Sequence, residues 1–146
     1  MKITLQQITQ GKEEVIIRYR QMTDQIDGIV SYIERQSDKL LGRKEGQQFV
    51  IQPQDVIYLE SVDGVTYLYT EREVYKSNLT LMSAETNYAD EGYFRCSKSM
   101  VINIYRIKKL KSLSGNRIDA TMDNEEHVVI SRRYAKELRN VLKGEA

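Results

Sequence analysis

Phe94-Arg95-Cys96-Ser97-Lys98-Ser99-Met100-Val101-Ile102-Asn103 decides how the chain is read. Phe94 and Cys96 can face one way while Arg95 and Ser97 face the other, the two-residue period of a half-buried strand. Ser97, Lys98 and Ser99 then form a short polar cluster with one fixed positive charge. Apolar Met100, Val101 and Ile102 close the stretch. A strand anchored on both sides that displays a Ser-Lys-Ser tip suits recognition of an anionic surface. A core strand would not need that tip.

Outward from this stretch, short strand patterns recur. Upstream, Val56–Glu60 and Val65–Thr70 are β-rich runs joined through Ser61-Val62-Asp63-Gly64, which carries an Asp-Gly turn signal. Val65, Tyr67 and Tyr69 share one face; Thr66, Leu68 and Thr70 share the other. Glu73–Lys76 is a further short strand. Leu40-Leu41 and Phe49-Val50-Ile51 flank Gly42 through Gly46 and read as a hairpin that Pro53, the only proline, ends. Ser77 or Asn78 can cap a short helix over Leu79–Thr86, with Leu79 and Met82 toward the core. Downstream, Ile104–Leu113, Arg117–Met122 and His127–Ile130 read as strands. Arg132–Leu142 reads as a final helix with Leu138, Val141 and Leu142 apolar and Arg132, Arg133, Lys136, Arg139 and Lys143 basic. Many short strands without a βαβ rhythm predict a mostly β (α+β) protein with antiparallel sheets and a few helices.

The N-terminus reads differently. Ile3 and Leu5 alternate weakly, Gly11-Lys12 turns, and Val15, Ile17 and Tyr19 alternate well, so two strands are expected over 2–8 and 14–20. Thr23 is an N-cap candidate, Asp24 and Asp27 suit the first turn, and Ile26, Ile29, Val30 and Ile33 recur at helical spacing. Gln36-Ser37-Asp38-Lys39 is a polar break. We therefore expect a small β/α unit over 1–38, with dimerisation through its apolar stripe, and the main domain over 39–146.

Forty per cent of the 146 residues are hydrophobic, enough for a core, and no apolar run approaches the ~18 residues of a membrane span. There is no apolar signal-peptide core, and one cysteine excludes an internal disulfide, so the expected compartment is the reducing cytoplasm. Net charge is +1 but uneven. Residues 1–94 hold 10 Lys/Arg against 15 Asp/Glu, whereas residues 95–143 hold 12 against 5. Such asymmetry fits either a polyanion partner for the basic half or an ordinary solvated face.

Catalysis is poorly supported, and neither a cofactor nor a small-molecule substrate is expected. His127, the only histidine, has no second His and no Cys beside it to build a zinc site, and it reads as a surface or edge-strand residue. Cys96 reads as a small hydrophobe beside Phe94. The alternative is a thiol whose pKa is lowered by Arg95 and Lys98, as redox sensing requires. Gly42-Arg43-Lys44-Glu45-Gly46 lacks the spacing and ending of a P-loop. The ten tyrosines fit strand packing better than a stacking platform for single strands.

The order of these pieces from about Leu40 to Lys143 resembles the LytTR family of bacterial DNA-binding domains. The matching stretches are Asp55-Val56-Ile57-Tyr58-Leu59-Glu60, then Phe94-Arg95-Cys96-Ser97-Lys98-Ser99, then Val101-Ile102-Asn103 with Ile107, and last Val129-Ile130-Ser131-Arg132-Arg133-Tyr134. The resemblance implies an elongated antiparallel β-sheet domain with short helices. It also implies a sequence-specific transcription regulator that puts loops, not a recognition helix, into successive major grooves of double-stranded DNA at repeated half-sites. Carried over by position, Lys98, Arg133 and Thr66 would reach base edges, while Ser97, Ser99 and Arg132 would hold phosphates. Asn103 reads more simply as a buried structural amide. Residues 1–38 are too short for the phospho-acceptor receiver domain of many LytTR response regulators. The chain is similar to small stand-alone LytTR regulators, which implies a membrane-embedded inhibitor protein as a further partner. The alternative is a protein-interaction module whose basic face docks an acidic partner.

Overall fold

Thr23 starts the first helix as its side chain allows. Its Oγ1 accepts from the Ile26 amide at 3.2 Å and its carbonyl accepts from the Asp27 amide at 2.9 Å. In the computed structural model, which describes residues 1–36 and 39–144, this helix, α1, runs Asp24–Gln36 with Asp24 and Asp27 in its first turn. The chain divides into two units, Met1–Asp38 and Lys39–Ala146. The polar break read at 36–39 falls partly on residues 37 and 38, which lie outside the described residues.

Residues 1–23 form no strand, contrary to expectation. The alternation itself survives, because Val15, Ile17 and Tyr19 line one apolar groove together with Met22, Ile26, Val30 and Ile33. What is missing is a ladder partner. A strand needs a neighbour to satisfy its N–H and C=O groups. Much of the groove lining stays open to solvent, with Val15 66% and Tyr19 55% exposed.

The second unit is built on antiparallel ladders. Its strands are β1 (Leu40–Lys44), β2 (Gln47–Ile51), β3 (Tyr58–Val62), β4 (Val65–Tyr69), β5 (Val74–Ser77), β6 (Tyr93–Ser97), β7 (Met100–Asn103), β8 (Ile107–Ser112), β9 (Ile118–Met122) and β10 (His127–Ile130). They pair as a seven-stranded sheet, in the order β2-β1-β5-β4-β3-β7-β6, and a three-stranded sheet, β10-β9-β8. Helix α2 spans Leu81–Asn87 and α3 spans Arg132–Leu142. This is the mostly β, antiparallel architecture with a few helices that the strand patterns predict. The tight turns fall where the sequence allows positive φ, at Glu45-Gly46 and Asp63-Gly64.

Helix α2 begins two to three residues later than expected. Its cap is Thr80, whose Oγ1 accepts from the Ser83 amide at 3.0 Å, while the Ser77 hydroxyl accepts from the Leu79 amide. The shift changes which residues face inward. Leu81 and Ala84 are buried, and Met82 is 73% exposed.

Two cores sit on opposite faces of the large sheet. Ile57, Tyr58, Cys96 and Ile102 join Ile118, Ala120, Met122, Val128, Ile130, Ala135 and Leu138 in one core, made with the small sheet and α3. Val56, Leu59, Leu68, Tyr93 and Val101 join Leu40, Ile51, Leu81 and Ala84 in the other, under α2. Adjacent residues therefore enter different cores: Tyr58 and Leu59 on β3, Val101 and Ile102 on β7. Both strands are buried on both faces, so the uninterrupted apolar run at 100–102 is what such a position demands. Arg106 ties the sheets together at one end. Its Nε donates to Gln54 O at 2.9 Å, and its other nitrogens lie 3.6 Å from Asp55 and 3.5 Å from Asp123. No helix among the described residues is long and apolar enough to cross a membrane.

Asn103 is the polar pin between the cores. It is 1% exposed. Its side-chain amide donates to Val56 O at 3.0 Å, its Oδ1 accepts from the Tyr105 amide at 3.1 Å, and its own backbone N–H donates to Ile57 O. This is the structural amide the sequence suggests. Asn103→Ala leaves a buried carbonyl and a backbone amide unpaired, so it should destabilise the fold by about 1–3 kcal/mol. Urea unfolding checks this: the midpoint should fall while the slope is kept.

Candidate nucleic-acid interface

The Ser97-Lys98-Ser99 tip is the turn between β6 and β7. Lys98 and Ser99 are exposed and Ser97 is half-buried. The two strands are not in simple register there. Arg95 pairs with Val101, but Ser97 pairs with Met100, so Cys96 is the extra residue of a bulge. A bulge bends its strand and re-aims the residues beyond it. Here the exposed Lys98 and Ser99 follow directly after it.

The turn is fastened from three sides. Arg95 Nε donates to Ser97 O at 2.7 Å and Arg95 Nη2 donates to Lys98 O at 2.5 Å. The Ser61 amide on β3 donates to Ser99 O at 2.9 Å. Within the turn, the Ser99 amide donates to Ser97 Oγ at 3.3 Å. Three consecutive carbonyls are thus occupied by donors of the protein itself.

The second basic cluster arrives through the β10–α3 junction. Ser131 N donates to Cys96 O at 3.0 Å. That bond covers part of the outer edge of β6 and joins the start of α3 to the strand two residues before Lys98. Arg132 and Arg133, both exposed, are the first two residues of the helix. The guanidinium of Arg133 lies 5.3 Å from the ring centroid of Tyr134, a cation–π distance that restrains it. The first turn of α3 has no acidic residue, and Ser131 makes no side-chain cap. Two arginines at a helix N-terminus oppose the helix dipole, at roughly 0.3–1 kcal/mol each. A bound anion would reverse that penalty.

Lys98, Ser97, Ser99, Arg132 and Arg133 therefore come to one edge of the unit. Thr66, the third reader expected from the resemblance, pairs with Ser61, whose amide donates to Ser99 O. It sits mid-strand on β4, 7% exposed, paired with Ser61 on one side and Ser77 on the other. Sequence reasoning missed the clamp formed by Arg95. The signal available was an arginine two residues before a predicted turn, within reach of that turn's carbonyls.

Cys96 is fully buried, and its thiol lies 3.5 Å from Met100 O. Burial pushes the thiol pKa up to about 12, and the nearby Arg95 charge offsets only a small part of that. A thiol kept protonated is not the reactive thiolate of a redox sensor, so the core reading stands and the lowered-pKa reading does not. His127 is exposed on edge strand β10, with Nδ1 2.9 Å from Asp119 Oδ2. Tyr58 and Tyr69 stack at 4.4 Å across β3 and β4, which is sheet packing. No group of three or more His, Cys, Asp or Glu residues that could hold a metal occurs among the described residues.

A family model described as the LytTr DNA-binding domain matches residues 46–143. The chain belongs to the LytTR family. It is similar to a sensory transduction protein LytT of Bacillus anthracis, 30% identical over 90 residues, covering 62% of this chain and 37% of that one. It is also similar to the transcriptional regulatory protein YpdB of Escherichia coli K12, 25% identical over 111 residues, covering 75% and 46%. The LytTR chain thus spans less than half the length of these curated relatives. A solved LytTr DNA-binding domain of a methyl-accepting/DNA response regulator from Bacillus cereus superposes with a TM-score of 0.68. That match covers 73% of this chain and 97% of that one at 24% identity, and so shows a shared fold.

The buried thiol gives a test of this geometry. In the folded protein Cys96 should resist alkylation at neutral pH and react fully only after unfolding, with thiol modification followed by mass spectrometry. The sign of the pH effect follows from the raised folded value. The unfolded thiol, at an ordinary 9.0, ionises first. Stability from this group is therefore complete below pH 9 and falls as pH rises toward about 12.

Proposed function

We propose that this LytTR protein is a sequence-specific transcription regulator that reads the major grooves of double-stranded DNA with two loop-borne cations. Lys98, on the β6–β7 turn, and Arg133, at the start of α3, are the base readers. Ser97, Ser99 and Arg132 take phosphates. Arginine and lysine match guanine O6 and N7, and small hydroxyls match phosphate oxygens. The observation that carries the reading is the Ser131–Cys96 backbone bond, which joins two basic segments more than thirty residues apart in sequence into one edge. Their being exposed, with no neighbouring carboxylate in α3's first turn, suits a polyanion.

In the same reading the protein binds repeated half-sites as a homodimer in the cytoplasm. The support is the first unit. Its extended segments have no ladder partner, and its groove around Ile26, Val30 and Ile33 is apolar. Residues 1–36 carry five Lys/Arg and five Asp/Glu, so two copies would not repel. A second copy offers both the missing strand neighbour and a matching apolar face, the self-complementarity of a two-fold interface. The resemblance to the LytTR family adds a membrane-embedded inhibitor as a proposed further partner.

Selection of bound duplexes from a random DNA pool supplies the recognition site. Lys98→Ala and Arg133→Ala should each weaken binding to that site by about 1–3 kcal/mol and relax base choice at separate positions. Affinity should fall steeply with salt, since each neutralised phosphate releases counterions. Unchanged binding by either variant rejects its role as a reader. Equal competition by unrelated polyanions favours the alternative, a module docking an acidic protein. Analytical ultracentrifugation should show a dimer at micromolar concentration that Ile26→Asp converts to monomer; a wild-type monomer at high concentration rejects the dimer.

A further inference from the structure

Arg95 is held in an unusual way for a strand residue beside a bulge. Its side chain is 20% exposed, and all three of its nitrogens are engaged. Nε reaches Ser97 O at 2.7 Å, Nη2 reaches Lys98 O at 2.5 Å, and Nη1 lies 3.5 Å from Glu85 on α2. The guanidinium faces back along its own chain, into the turn that carries Lys98.

We propose that Arg95 is a positioning residue for DNA recognition: it clamps the Ser97-Lys98-Ser99 turn in its binding geometry, and Glu85 holds the clamp. This rests on the reading of Lys98 as a base contact. Three physical arguments carry it. First, the fork of a guanidinium can bond two successive carbonyls at once, which a lysine ammonium does less well. Secondly, peptide carbonyls repel phosphate. With Ser97 O and Lys98 O taken by Arg95, and Ser99 O taken by the Ser61 amide, the turn's acceptors are occupied inside the protein. The Lys98 charge then meets the polyanion unopposed by its own backbone. Thirdly, a lysine on a loose turn loses conformational entropy on binding, and a preset turn has lost much of it already. The Glu85 carboxylate completes the arrangement by fixing the far side of the guanidinium to a helix packed on the sheet.

The full chain and the selected duplex test this, with an unrelated duplex of equal length as reference. Arg95→Ala should lose about tenfold in affinity for the selected duplex and change little for the reference, with an unaltered salt slope. Amide hydrogen exchange at residues 98–100 should quicken in the free protein. Arg95→Lys should recover only part of the specificity, and Glu85→Gln should shift both readouts the same way to a smaller degree. A salt slope reduced by about one would make Arg95 a phosphate ligand and overturn the proposal. So would a lowered melting temperature with the specificity ratio intact. Should Arg95→Ala fail to fold, Glu85→Gln decides by the same two readouts. Lys98→Ala run in parallel separates the two layers: if it leaves the specificity ratio unchanged, the base-contact reading fails, while faster exchange in the Arg95 variants still reports the clamp.

Discussion

One backbone hydrogen bond, from Ser131 N to Cys96 O, organises the candidate interface. Its acceptor belongs to the bulge residue of β6. In an unbulged strand, the residue before Ser97 would stay in the ladder, and the outer edge of β6 would run on as a plain template. The bulge shifts the local register, and the Cys96 carbonyl accepts from the β10–α3 junction. The buried Cys96 side chain anchors the same point from inside. A small apolar residue is what the position needs. The thiol's chemistry is suppressed by the burial that makes it useful.

Two-sided burial explains why the fold could be read so well from β3 and β7 and less well from the helices. Val56-Ile57-Tyr58-Leu59 and Met100-Val101-Ile102 are apolar runs with no polar alternation, and each run feeds both cores. Such runs are visible in sequence as buried strands once their length excludes a helix. Helix α2 was harder. Ser77, Asn78 and Thr80 are all competent caps, and only tertiary packing of Leu81 and Ala84 selects Thr80. The strands expected over 2–8 and 14–20 failed for another reason. Alternation reports which face is apolar, but a strand also needs a neighbour, and that depends on what else is present.

The candidate site is legible in proportion to how far its proposed residues would act through their own side chains. Lys98 and Arg133 stand out as charges at turn and helix-start positions, and these are properties of the local sequence. Thr66 is indicated only by position in the resemblance, and its burial at mid-strand on β4 is a tertiary property that no local pattern reports. Arg95 hid for the opposite reason. In sequence it is one more cation in a basic half, next to a cysteine whose thiol it could plausibly acidify. Only the carbonyl geometry shows that its charge is spent on the turn and on Glu85.

The start of α3 shows the same logic from the energetic side. A helix that opens on Arg132 and Arg133, with no acidic residue in its first turn and no side-chain cap, is locally inconsistent with helix electrostatics. Its amphipathic face still docks, since Ala135 and Leu138 are buried in the core beneath the small sheet. Packing on that scale exceeds the dipole penalty, so the fold tolerates the mismatch. Places where local rules are broken while global packing holds are where function is expected. Here the broken rule has the sign a polyanion would correct. The same reasoning separates this edge from the rest of the basic half. Lys108, for instance, is matched by Glu125 across the sheet, and its charge is already answered within the protein.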